Sequence, residues 1–358
     1  MSEKQVDFAV FGSSPLARLL AGLLAGTHGR SVAFIGESHS GYRLPRDIDL
    51  SIAPMTRPQS WSMVTALLPE TLKLLSRIAG RSAWSRVDPI LFAEEPEALE
   101  ALSHMRHMAS GFGLAAEKIS ASMVGAGRSG VMLRDAVRLN RPVLEPALDR
   151  WLDKQNVLRG AAEDVSIAAD GVAILKMGDD TILAGQAILA DSAAILAHLP
   201  NNQWPALLRR QTMATILTTP TQQIAAPVMM QVDTGTTLLQ QAEGGIAAIG
   251  RGELTHFSAG LQTLLGYGRQ VQQAGQTIHL ALEATDGAPL FGRVGGVGAD
   301  IVAGLGPTGG FLAPALARWI AGNPRAQEES WFGARLANRT ASAEPVAEFH
   351  LPVHGQAA

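Results

Sequence analysis

"FAVFGSSPLARLLAGLLA", Phe8 to Ala25, joins a short apolar run to a leucine-rich one through a small polar turn. Phe8, Ala9, Val10 and Phe11 are continuously apolar, the pattern of a strand covered on both faces, as in a parallel sheet. Gly12 ends the run. Ser13 and Ser14 supply helix-capping oxygens, Pro15 suits a first helical turn, and Leu16, Leu19, Leu20, Leu23 and Leu24 share one helical face. Gly26 and Gly29 stop that helix, and "SVAFIGE", Ser31 to Glu37, reads as a second buried strand ending in an acid. Strand, glycine turn, helix, strand and acid make a β-α-β unit of about 30 residues, the context that gives a glycine turn a nucleotide-binding meaning.

The chemistry of such a unit sets the candidate residues. Gly12 allows the tight turn, a small second residue lets a pyrophosphate approach the backbone, the helix N-terminus after the Ser13 and Ser14 caps presents free N–H groups to it, and Glu37 is the acid for ribose hydroxyls. Ala17 stands where the third glycine of a fingerprint is usual, a place that only sets helix–strand packing. Ser14 stands where the second is usual, and its side chain either crowds a phosphate or donates to it. Glu37 falls one or two residues later than the commonest spacing, with Gly36 before it. A β-α-β unit that binds nothing stays open on this segment.

The far end carries a second signal. "DGAPLFGRVGGVGADIVAGLGPTGGFLAPALARWIAG", Asp286 to Gly322, runs from a hairpin-like segment through the strand "ADIVAGLG" to the glycine turn "GPTGG" and a helix. That order resembles the C-terminal segment of the D-amino-acid oxidase-like flavoproteins, a family of glycine, sarcosine and D-amino-acid oxidases and dehydrogenases. The resemblance implies an α/β fold with FAD as cofactor: a Rossmann-like FAD-binding domain from residues 1–60, 139–203 and 283–337, an inserted α+β substrate domain from 61–138 and 204–282, and a C-terminal tail, 338–358. It also implies that Gly306, Thr308, Gly309 and Gly310 bring backbone N–H groups to the pyrimidine end of the flavin, where reduction places negative charge. The activity implied is oxidation of an amine or amino acid by hydride transfer to flavin, with no catalytic side chain assigned.

Within the middle of the chain, "LNRPVLEPALDRWLDKQNVLRG" reads as a helix and its exit, and the stretch from Asp164 to Leu196 as short strands with turns at Asp170-Gly171 and Gly178-Asp179-Asp180. Residues 61–130 read mainly as helices, with "EEPEALEALSHMRHM" the clearest, and "SAGLQTLLGYGRQVQQA" as a helix among strands.

Five positions depart from the family pattern where cofactor or substrate should be touched. They are Ser14, Gly36, Gly185 in place of an acid, Ser192 in place of a glycine, and Ala281 in place of the arginine that clamps a substrate carboxylate. Arg251, Arg269 and Arg293 are the candidates to replace that arginine. The competing reading is therefore a degenerate, noncatalytic subunit or scaffold of a larger complex. A flavin monooxygenase or reductase is a third, with no Gly-Asp-Ala turn near the C-terminus to favour the hydroxylase version.

Composition bounds the partners. With 358 residues, 47% hydrophobic and a formal net charge of -3, the chain buries a large core and offers no broad positive field to nucleic acid. Zero cysteines exclude disulfides and thiolate metal sites. "MSEKQVDFAV" lacks the basic and long apolar regions of a signal peptide, and Leu16 to Ala25 is too short to span a bilayer, so a soluble, cytoplasmic protein acting on a small molecule is expected. His104 and His107 lack a third ligand at a recognisable spacing, and His256, Tyr267 and His279 read as structural.

Overall fold

The computed structural model describes residues 3–37, 43–266, 268–341 and 348. The α/β class expected from the sequence is the one observed, built on two eight-stranded sheets. In the first, Glu3–Phe11 is central and pairs in parallel with Val32–Ile35 on one side and Asp180–Leu189 on the other. Val297–Ala303 and Leu290–Val294 extend the sheet beyond Asp180–Leu189, and Leu158–Arg159 closes the other edge.

The helix Pro15–Gly26 follows the first strand as expected, with Ser14 at its N-cap and Pro15 in its first turn. Its leucines sink into the main core with Leu144 and Leu148 of the helix Arg141–Lys154 and Phe311 to Ala317 of the helix Gly309–Ile320. Burying a leucine side chain contributes about 1.5–3 kcal/mol, so this three-helix layer is a large share of what holds the sheet. The first strand is longer than its apolar run because Asp180–Leu189, folded back from a hairpin with Ala173–Met177, carries pairing down to Glu3.

The second sheet alternates its faces. Leu91, Met230, Leu239 and Ala247 enter the main core, whereas Phe92, Met229, Leu238 and Ala248 enter a separate cluster with Phe257 and Leu261 of the helix Leu254–Leu265. This is the period of two that a pleated strand imposes.

One expectation is corrected and another is extended. The helix expected through "GYGRQVQQA" stops at Leu265, because Gly266 takes a φ of +89° and the chain then enters the strand Gln273–Ala284, which pairs along Leu208–Thr218. Residues 61–130 hold the helices Pro58–Ala79 and Pro96–Gly111 but also strands such as Ile90–Ala93 and Ser129–Leu133, runs too short to carry a period of their own. Of the tail, Glu348 is fully buried and accepts from Arg335 Nε at 2.6 Å.

Candidate functional site

Three parallel strands end at one place. Gly12 N donates to Ile35 O at 3.0 Å and Ala190 N to Phe11 O at 2.8 Å, so the turn after the first strand, the exit of the second at Gly36-Glu37, and Ala190-Asp191 meet at the carboxyl edge of the sheet. This is where open α/β sheets take their ligands.

An internal carboxylate holds the centre of that edge. Asp191 Oδ2 accepts the backbone N–H groups of Ser13 at 2.7 Å and Ser14 at 3.1 Å, while its Oδ1 accepts from Ala194 N at 2.9 Å. One side chain therefore caps two helices, Pro15–Gly26 and Ser192–His198, and sits against the positive end of both. Gly12 has a φ of +145°, and a Cβ there would stand 2.7 Å from Asp191 Oδ2, so glycine is required for the carboxylate as well as for the turn.

The ribose side is closed in the same way. Glu37 N donates to Ser13 Oγ at 2.9 Å, and a Cβ on Gly36 would lie 2.0 Å from Gly12 O. Arg18, only 1% exposed, donates to Ser13 O, to Glu37 O at 2.7 Å and to Asp149 Oδ1 at 3.1 Å, and lies over the Phe34 ring. The Glu37 carboxylate turns outward to pair with Arg43. Ser14 Oγ is spent on Ala17 N at 3.2 Å, and Ala17 packs in the core.

The far turn lies beside the first one. A Cβ on Gly309 would be 3.4 Å from Leu16, so the two helix N-termini are adjacent, as the sequence order requires. Gly306 takes a φ of +49°, Thr308 Oγ1 donates to Leu305 O at 2.9 Å, and Pro307 O accepts from Leu50 N at 2.9 Å. A Cβ on Gly310 would stand 3.2 Å from Leu139 and 3.4 Å from Asp49 Oδ1. Protein atoms alone bury Thr308, Gly309 and Gly310 together with Leu50, Ile52, Ala53 and Met55. Burial pushes the Asp49 carboxyl up to about 6, against the pull of Arg141, whose Nε donates to it at 2.5 Å.

The remaining candidates are dispersed. Arg251 pairs with Glu283, and Arg293 donates to Asp170 O and Gln186 and stands 3.8 Å from Asp300. Ser192 Oγ accepts from Leu282 N at 3.1 Å, and a Cβ on Gly185 would be 3.2 Å from Asp7 O. His104 binds Thr56 O, no metal-holding group of His, Asp and Glu occurs among the described residues, and Tyr267 lies outside them. A cavity of about 360 Å³ is lined by the end of the helix Leu254–Leu265, and another of about 200 Å³ lies among Arg57, Asp286 and Arg339.

Asp191, Arg18, Asp149 and Asp49 were not singled out by sequence. The available signal for Asp191 was its place three residues before Ala194, after the apolar run ending at Ala190, which is an N-cap pattern.

No family model matches the chain, and no curated protein matches it. Solved structures do. They include L-amino acid deaminase from Proteus vulgaris with its specific insertion deleted (14% identity, 95% of each chain covered, TM-score 0.69). Iminodiacetate oxidase from a Chelativorans species shares 18% identity over 89% of this chain and 96% of that one, at a TM-score of 0.65. Glycine oxidase from Geobacillus kaustophilus shares 13% over 98% and 99%, at 0.64.

The chain has the D-amino-acid oxidase-like fold.

Within this fold, the resemblance implies FAD lying from the Gly12 turn to the Gly306–Gly310 turn. The amides that would receive its pyrophosphate are on Asp191, and a second anion brought to the same N–H groups would meet that carboxylate's charge within hydrogen-bonding distance. As arranged, the Ser13 and Ser14 amides are held by Asp191 and are not open to a pyrophosphate.

Proposed function

We propose that this chain uses the amino-acid oxidase fold without a dinucleotide, as a noncatalytic subunit or scaffold. The observation that carries the reading is the Asp191 carboxylate on Ser13 N and Ser14 N, with Arg18 and Ser13 tying down the exit of the second strand beside it. Filling an anion site with an internal anion keeps the helix N-terminus satisfied with no ligand at all. The strand Gln273–Ala284, at the edge of its sheet, exposes Ile278 and Leu280, apolar side chains of the kind found where another chain associates.

An absorbance spectrum of the freshly purified full chain, followed by calorimetric titration with FAD, tests this. The expected result is a colourless protein with no saturable uptake at FAD concentrations on the order of tens of micromolar. A yellow protein, or saturable uptake, would overturn it and restore the second reading, FAD-dependent oxidation of an amine or amino acid, which rests on the retained β-α-β frame and the adjacent glycine turn.

A further inference from the structure

The strand Gln273–Ala284 closes one edge of the second sheet, and among the described residues it pairs only with Leu208–Thr218. Its free side is bounded at both ends. At one end Leu282 N donates outward to Ser192 Oγ at 3.1 Å, and at the other the register with Leu208–Thr218 passes over Ala274. Because backbone groups alternate along a strand, the Leu282 bond fixes which residues face outward: Leu280, Ile278 and Gln276 send their N–H and C=O groups away from the sheet. None of these three amides meets a partner among the described residues.

Native edges are commonly kept apart by Lys, Pro or an inward-pointing charge. This edge has none of these, since Gly275 to Leu282 contains no Lys, Arg, Asp, Glu or Pro. Ile278 and Leu280 stand 48% and 47% exposed on its outer face, while the opposite face is approached by Leu44 at Gly275. The open segment, Gly275 to Ala281, centres on Ile278. A strand of the same sequence laid antiparallel along it puts Ile278 opposite Ile278 and Gln276 opposite Leu280. That register uses all three outward residues at once and ends before the Leu282 amide that Ser192 holds. It is also the self-complementary arrangement that a closed two-fold dimer requires.

We propose that the chain forms a two-fold homodimer by antiparallel pairing of its Gln273–Ala284 edges, centred on Ile278. The inference rests on the scaffold reading for the use of this edge as an interface, and names the partner as a second copy.

Sedimentation of the full chain over a dilution series is the test, together with single cysteines placed in a sequence that has none. A concentration-dependent dimer is expected. Ile278→Lys sets like charges opposite each other at a half-exposed position, and should raise the dissociation constant about tenfold or more with an unchanged circular dichroism spectrum. Under mild oxidation Ile278→Cys should cross-link to its own copy, because the two Cα atoms of such a pair are about 5.5 Å apart. Gln276→Cys, offset from its copy by about 13 Å along the strands, should not. A monomer at concentrations up to about 100 μM, a dimer that Ile278→Lys leaves intact, or cross-linking of Gln276→Cys as readily as Ile278→Cys would each overturn the proposal. A yellow dimer with the Ile278→Cys cross-link would sustain it and sink the scaffold reading alone, and a colourless monomer would do the reverse.

Discussion

Replacing Asp191 with alanine should both weaken the fold and create an anion site. Three backbone N–H groups, those of Ser13, Ser14 and Ala194, lose a charged acceptor at 2.7 to 3.1 Å. Hydrogen bonds to charged groups contribute about 1.5–3 kcal/mol each, but these are half-buried and water refills them, so the two helix caps set the scale at about 0.5–2 kcal/mol apiece. The expected loss is about 1–4 kcal/mol. With an unfolding entropy of roughly 2.1 cal/mol/K per residue over 358 residues, the melting temperature should fall by about 1–5 °C. The freed amides should then accept inorganic pyrophosphate. At ten times its dissociation constant a ligand adds about 1.4 kcal/mol, or about 2 °C here, and the parent protein should show no such rise. Pyrophosphate is the right probe because Arg18 and Ser13 still hold Glu37 in the variant. The assay is thermal unfolding of both proteins with and without pyrophosphate. An alanine variant as stable as the parent, or a parent stabilised equally by pyrophosphate, would refute the assignment of Asp191 to the phosphate position.

Arg18→Met should destabilise by about 3–5 kcal/mol in urea unfolding, since the buried guanidinium ties Ser13 O, Glu37 O and Asp149 together. Asp300 gives a pH test. Burial raises its carboxyl from 3.8 to about 6, against Arg293, so the folded state holds the proton more tightly than the unfolded one and stability falls as pH rises from about 4 to 6. Asp300→Asn should therefore be the more stable protein at pH 7.5, by at most about 3 kcal/mol, with the advantage gone at pH 4; urea midpoints across that window check it.

The first β-α-β unit was legible because each part is written in neighbouring residues: the apolar run to Phe11, the break at Gly12, the Ser14 cap, and leucines at helical spacing up to Gly26. The closing strand, turn and helix were legible for the same reason. The helix expected through Ala274 fails where local composition favours helix but pairing with Leu208–Thr218, which begins at Gln273, decides otherwise. Arg18 carries no local signal in the sequence, since its role depends on Asp149, 131 residues away. What fills the nucleotide edge belongs to the same class. Asp191 is 178 residues from Ser13 and reaches it only because Asp180–Leu189 docks in parallel beside Glu3–Phe11. Local periodicity determined the elements and the positive helix end that seeks an anion. Only the strand order decided that the anion would come from the chain itself, since which charge reaches a helix N-terminus is set by packing across the sheet and not by any run of residues.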